Sequence, residues 1–273
     1  MIDRLVTYVP FDRLHEIEKY FLKNKEIVKP NRAIVFMDGG LDWQVDVIKQ
    51  RLPNDIEIIY GTWGNGPACV IDILSYLKKE PSDSLIVDSD NVLDPDFETI
   101  EKLMPEKHDI YAIQNHDDKI GPVYEKRSNY VGTLADGHKV FEYRIPGHYN
   151  GIVNIGPKQA IRLGTSTLKT LRQQVLDDMK VAVLSIDFKL RRFLADETNW
   201  GTILYYSGIT RTPWVYASTH YQRTSPQYSV PSRYVANATA CTAYGKKMMR
   251  RYRRYILYYL RYKLAVIQRA IRL

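Results

Sequence analysis

The stretch Ser84-Leu85-Ile86-Val87-Asp88-Ser89-Asp90 decides how the rest of the chain is read. Leu85, Ile86 and Val87 form a continuous apolar run, which suits a strand buried on both faces of a sheet. Such a strand delivers Asp88 and Asp90 to its C-terminal edge, where open α/β sheets bind their ligands. Alternation along an extended chain puts Asp88 and Asp90 on one side and Ser89 on the other. Two hard oxygen donors on one side suit a divalent cation that already carries phosphate oxygens. An acidic loop after a strand is also common, so the flanking chain has to decide between the two.

Toward the N-terminus, short apolar runs alternate with amphipathic segments. Residues 5–9 read as a strand, and residues 12–24 as a helix with Leu14, Ile17, Tyr20 and Phe21 on one face. A second strand, residues 33–37, runs into Asp38-Gly39-Gly40 and is followed by a helix carrying Val45, Ile48 and Leu52. A third strand, residues 56–60, leads to the glycine-rich loop 61–67 and a helix carrying Val70, Ile73, Leu74 and Leu77. Strands separated by helices imply crossover units, hence an α/β domain whose largely parallel sheet is covered on both faces. Toward the C-terminus a strand is expected at 109–113, mixed strand-like pieces at 120–156, and helices at 168–179, 185–194 and 200–206.

Composition bounds the rest. The 273 residues, 45% hydrophobic and 26% charged, suffice for one globular domain with an appendage. No run approaches twenty uncharged apolar residues, which argues against a transmembrane helix. The start Met1-Ile2-Asp3-Arg4 lacks a signal-peptide pattern, and two cysteines, Cys69 and Cys241, make no disulfide framework. A reducing, cytoplasmic setting is the expectation. The net charge of +8 is unevenly spread: residues 1–197 balance at −5, and residues 198–273 hold 13 Lys and Arg with no acid.

The order of these features resembles a glycosyltransferase of the GT-A fold, closest in layout to the family 2 type of inverting, nucleotide-sugar-dependent transferases. The resemblance spans residues 4–222 and rests on several short matches. Thr7-Tyr8 stands where that family ends its first strand against the nucleotide base. Phe36-Met37-Asp38-Gly39-Gly40 with Asp42 matches the acidic end of its second strand, Gly40 replacing a serine. Asn65-Gly66-Pro67-Ala68 approximates its third-helix turn, and Asp88-Ser89-Asp90 its D-x-D signature. Further on, Asp196-Glu197 is followed by Trp200, Leu204 and Gly208 at the intervals of the family's E-D-x-x-L-x-x-R-L-x-x-x-G pattern. The acidic order is reversed, Trp200 replaces a leucine and Ile203 an arginine. Residues 149–154 are similar to the acceptor-side strand, and residues 214–220 to the strand whose last residue, here His220, completes the metal site.

The resemblance implies a GT-A, Rossmann-like, mostly parallel sheet with helices on both faces. It implies a nucleotide-diphosphate sugar as donor and a glycan or lipid-linked hydroxyl as acceptor. Thr7, Tyr8, Asp38, Asn65, Asp88 and Ser89 would contact the donor. Asp90, with His220 and Asp88, would hold Mn²⁺ or Mg²⁺, and the imidazole tilts the choice toward Mn²⁺. Such an ion neutralises the charge that develops on the leaving diphosphate. Glu197 would serve as general base, with Asp196 orienting it or binding the acceptor, and Asp187 is its rival.

Residues 223–243 read as a linker or wrapping arm. Residues 244–273 read as a basic amphipathic helix, with Met249, Tyr252, Ile256, Tyr259, Leu260, Ile267 and Ile271 near one stripe. An Arg-rich helix of this kind suits the anionic inner face of a membrane, where the enzyme would sit peripherally. Docking on its own domain is the plainer alternative, and the acidic core argues against nucleic acid as partner. Three other readings stand beside glycosyl transfer. A nucleotidyltransferase would want a glycine-rich, basic loop after the first strand. A haloacid dehalogenase-like phosphatase normally opens on its D-x-D strand, whereas three strand–helix units precede it here. A non-catalytic adaptor would act through the basic tail.

Overall fold

Four of the apolar runs lie side by side as parallel strands. They are β1 (Arg4–Pro10), β2 (Arg32–Asp38), β3 (Ile56–Gly61) and β4 (Ser84–Val87), in the spatial order β3-β2-β1-β4. The computed structural model describes residues 2–39, 42–61, 63, 66–95, 97, 109–115, 128–133, 139–144, 160–184, 196–209 and 211–220. Asn65, the segment 149–154, Asp187, and the stretches 223–243 and 244–273, expected as a linker and a basic helix, lie outside the described residues.

The strand period of two divides the core between the two faces of the sheet. Leu5 and Val9 join Leu14, Ile17, Phe21, Val35, Met37, Ile48, Leu85 and Val87 in one cluster. Val6 joins Ile34, Phe36, Cys69, Ile73, Leu74, Leu77 and Ile86 in the other. The first face is covered by a 3₁₀ turn (Phe11–Arg13), α1 (Leu14–Glu16), a π turn (Ile17–Phe21), α2 (Leu22–Val28) and α3 (Asp42–Arg51). The second is covered by α4 (Gly66–Lys79), whose Val70, Ile73, Leu74 and Leu77 are all buried as the helical spacing predicts. Fully burying each such side chain contributes about 1.5–3 kcal/mol.

The remaining strands are β5 (Asn91–Leu93), β6 (Ile110–Asn115), β7 (Ser128–Thr133), β8 (Lys139–Arg144), β9 (Ala160–Leu163) and β10 (Arg211–His220). They extend the sheet to the order β3-β2-β1-β4-β9-β6-β10-β8-β7, with β5 pairing on β10. Strands β1 to β4, β6, β7 and β10 share one direction, and β5, β8 and β9 run against it. The α/β class and the mostly parallel, helix-covered sheet are therefore as expected. The antiparallel insertion of β9 between β4 and β6 is not, because four residues paired across a long sequence distance (Ser84 with Leu163) leave no local signature.

Helices α5 (Thr165–Thr170), α6 (Gln173–Leu184) and α7 (Asp196–Tyr206) complete the described chain. The single helix expected over 168–179 is split at Leu171, whose ψ of 130° is extended. Side chains take over the backbone bonds there: the Thr170 hydroxyl donates to the Thr167 carbonyl (2.9 Å), and the Arg172 N–H donates to Ser207 Oγ (3.2 Å). Among the described residues no helix is long and apolar enough to cross a membrane.

Candidate active site

The C-terminal ends of β2, β1 and β4 adjoin one another. Pro10 is in register with Asp38, and the Thr7 hydroxyl donates to the Val87 carbonyl at 2.7 Å. Thr7 is fully buried, so it holds β1 against β4 from inside the edge, and its side chain is not presented to a ligand.

Beyond Val87 the chain turns at once, the Asn91 N–H donating to the Asp88 carbonyl at 3.2 Å. Strand alternation therefore does not govern the D-x-D residues, and the expected split of Ser89 from Asp90 does not occur. Both are buried, and both enter one network with two residues that the sequence did not single out, Arg13 and Glu16. Ser89 Oγ donates to Glu16 Oε2 (2.5 Å), Arg13 Nε donates to Glu16 Oε1 (2.6 Å), and Arg13 Nη2 contacts Glu16 Oε2 at 2.6 Å and Asp90 Oδ2 at 3.2 Å. The Asn91 amide donates to Asp90 Oδ1 at 3.2 Å. Asn24 of α2 fastens the far side of the turn, donating to the Asn91 carbonyl and accepting from the Leu93 N–H, both at 2.8 Å. Asp88, half-buried, is the more open of the two aspartates.

Among the described residues one guanidinium, that of Arg13, contacts both the Glu16 and the Asp90 carboxylates. Near a protein surface an ion pair at 4 Å is worth about 4 kcal/mol in Coulomb terms, so carboxylates held under cover attract cations. His15, buried between Leu14 and Glu16 in the chain, has its imidazole pushed below the ordinary value by burial, with the Glu16 carboxylate pulling the other way.

A second corner lies at Asp38. The Tyr8 hydroxyl donates to Asp38 Oδ2 at 3.1 Å, and Trp63 packs edge-on to Tyr8, with ring centroids 6.2 Å apart, and against Phe36 at 5.7 Å. The indole N–H donates to Asp72 at 2.7 Å, and Lys180 of α6 holds the other oxygen of that carboxylate at 2.7 Å. Gly61 is required beneath the indole, since a Cβ there would lie 2.2 Å from the Trp63 ring. Tyr8, Asp38 and Trp63 thus form an aromatic and acidic corner at the C-terminal ends of β1 and β2, of the kind that can hold a planar, hydrogen-bonding ring. Trp63 was legible only as part of a glycine-rich loop.

Three expected site residues are placed by the backbone. His220 ends β10 in register with Asn91, next in the chain to Asp90. Asp196 and Glu197 begin α7, whose Trp200, Ile203 and Leu204 are buried with Cys69 and Val70 of α4. The downstream glycine has a physical reason too. Gly208 adopts φ +88°, and the bonds Gly208 N–H to Tyr205 carbonyl and Ile209 N–H to Leu204 carbonyl, both 2.9 Å, close α7 in a Schellman cap.

Among the described residues no three His, Cys, Asp or Glu side chains form a ready-made metal centre. A cation delivered with a diphosphate needs only one or two protein carboxylates, and Asp88 and Asp90 are hard oxygen donors of that type.

No family model matches the chain, and no curated protein matches it. Solved structures similar to it include the galactosyltransferase LgtC in complex with donor and acceptor sugar analogs, at 11% identity and a TM-score of 0.45, covering 91% of this chain and 99% of that one. The 4-diphosphocytidyl-2C-methyl-D-erythritol synthase of Anaerococcus prevotii is similar at 8% identity and a TM-score of 0.46, covering 84% and 93%. TarS residues 1–349 from S. aureus is similar at 14% identity and a TM-score of 0.41, covering 92% and 68%. These superpositions are loose, and nothing about this chain's chemistry follows from them.

Proposed function

We propose that the chain is a glycosyltransferase that moves a sugar from a nucleotide-diphosphate donor to a hydroxyl acceptor, a glycan or a lipid-linked sugar. The observation that carries this reading is the gathering of the Tyr8–Asp38 corner and the Asp88–Asp90 turn at one edge of three adjoining parallel strands. Open α/β sheets bind their ligands at that edge. The corner takes the nucleobase, and the aspartate turn faces the diphosphate. Asp90, with Asp88 and His220, would hold a Mn²⁺ or Mg²⁺ ion, which supplies the positive charge that a leaving diphosphate needs. Glu197 accepts the proton of the acceptor hydroxyl while its oxygen bonds to the anomeric carbon. The bond from that carbon to the phosphate oxygen breaks, and the nucleoside diphosphate leaves with the electron pair. Direct displacement of this kind inverts the sugar. The basic segment 244–273 would lie on an anionic membrane surface at the cytoplasmic side and bring the site to a lipid-linked acceptor.

Nucleotidyl transfer is the second reading, favoured by Arg13, a basic residue close behind the first strand and within the site. A screen of common nucleotide sugars with Mn²⁺, with and without acceptors, separates the two. Release of nucleoside diphosphate with sugar transfer or hydrolysis is expected. Release of pyrophosphate from a nucleoside triphosphate and a sugar phosphate would move the assignment to nucleotidyl transfer. Activity undiminished in both Asp90→Ala and Glu197→Ala would refute the roles of those two carboxylates.

A further inference from the structure

We propose that Arg13 is the resident counter-cation of Asp90 and competes with a divalent cation for that carboxylate, a role that rests on the donor-site reading above. The geometry separates an anchor from a movable contact. The guanidinium meets Glu16 twice, through Nε on Oε1 and Nη2 on Oε2, both at 2.6 Å. The same Nη2 reaches Asp90 Oδ2 at the longer distance of 3.2 Å. Glu16 is itself fixed by Ser89 Oγ at 2.5 Å, so the anchor is tied to the residue before Asp90. The Glu16 and Asp90 side chains are 2% and 7% exposed, and that of Arg13 is 15% exposed, which leaves the guanidinium the open side of the network.

Charge supplies the coupling. Among the described residues the Arg13 guanidinium sits on both carboxylates, and a bare divalent ion must share Asp90 with a guanidinium already on it. A donor diphosphate changes that balance, because the Arg fork matches phosphate oxygens as well as it matches carboxylates. Arg13 then turns its Nη2 contact from Asp90 to a phosphate oxygen while Glu16 keeps hold of it, and Asp90 Oδ2 passes to the cation that arrives with the donor. Cation and donor thereby bind with positive coupling, each improving the other's affinity by the same factor. Arg13 is a positioning residue for the cation and a binding residue for the donor phosphate.

The test is calorimetric titration of Mn²⁺ alone into the full chain. Wild type is compared with Arg13→Gln and with the double variant Arg13→Gln/Glu16→Gln, each first shown to be folded by circular dichroism. Arg13→Gln is expected to bind Mn²⁺ about tenfold tighter than wild type, since two carboxylates lose their counter-charge. The double variant keeps the network's net charge of wild type, so it reports the clearing of Asp90 itself; a gain above about threefold is expected. It also removes one positive and one negative charge together, which keeps the test open should the single variant fold poorly. Mn²⁺ affinity in the double variant equal to or below that of wild type would overturn the proposal. A wild-type chain that binds no nucleoside diphosphate with Mn²⁺ would overturn the donor-site reading instead, and the Mn²⁺-only titrations would still decide the role of Arg13.

Discussion

Two arginines bracket the first strand, and their surroundings differ in kind. Arg4, at its start, is 1% exposed and gives its hydrogen bonds to neutral oxygens: Ser84 Oγ at 3.1 Å and the carbonyls of Leu77 and Ser82, each at 3.3 Å. Burial lowers its pKa, with the neighbouring Asp3 charge opposing that shift. Arg13, just past the strand's end, meets two carboxylates, those of Glu16 and Asp90. One edge of the sheet is closed by a cation that is fully engaged by the fold. The other holds a cation shared between two carboxylates, beside the turn proposed above to face a diphosphate and its cation. The same side-chain type thus serves as a structural clamp at one edge and, in the proposal above, as part of a binding site at the other.

If that contrast is right, substitutions at the two edges fail differently. At the ligand edge the largest effect is expected for Glu197→Gln, which should slow transfer by about 10²–10⁴-fold while leaving urea unfolding unchanged. At the opposite edge Arg4→Met should cost about 3 kcal/mol in urea unfolding, because buried oxygens of Ser84, Leu77 and Ser82 lose their donor. Its folded fraction should bind nucleotide as wild type does. A loss of nucleotide affinity in Arg4→Met equal to that of a ligand-edge variant would erase the distinction.

The smallest effect concerns pH. The folded-state pKa of His15 is lowered by burial, so the unfolded chain takes up a proton first as pH falls. The stability due to neutral His15 is present above about pH 6.5 and drains away below it, at up to about 1.4 kcal/mol per pH unit. Asp3, Asp55 and Glu57, whose pKa values are also lowered, titrate in the carboxylate range, so among the described side chains with a lowered pKa it is His15 that acts across pH 5–6.5. Denaturation across that window should show the slope in wild type and lose most of it in His15→Gln.

Much of this was legible in the sequence, for local reasons. Leu85-Ile86-Val87 in β4 and residues 33–37 in β2 are continuous apolar runs because both faces of those strands are covered, and Val70, Ile73, Leu74 and Leu77 keep helical spacing because one face of α4 is. Asp38 could be placed at the end of β2 and Asp90 just beyond β4, because the apolar runs that precede them mark where the strands stop. Arg13 and Glu16 could not be, since an Arg and a Glu three apart at a helix start read as a solvated pair. The burial of Glu16 comes from the turn after β4, which lies far along the chain. A useful signal would have been R-x-x-E directly behind a strand that neighbours the D-x-D strand. Thr7 misled for the opposite reason: its hydroxyl is used by the Val87 carbonyl, a contact that no local pattern encodes.

The central claim is that the Asp90 edge binds a diphosphate together with a divalent cation. Its most direct test is calorimetric titration of a panel of nucleoside diphosphates, with and without Mn²⁺, into wild type, Asp90→Asn and Arg4→Met. At least one diphosphate should bind wild type with Mn²⁺ and lose about tenfold or more in affinity in Asp90→Asn, with Arg4→Met unaffected. Undiminished, Mn²⁺-independent binding in Asp90→Asn, or no binding of any diphosphate by wild type, would contradict the account.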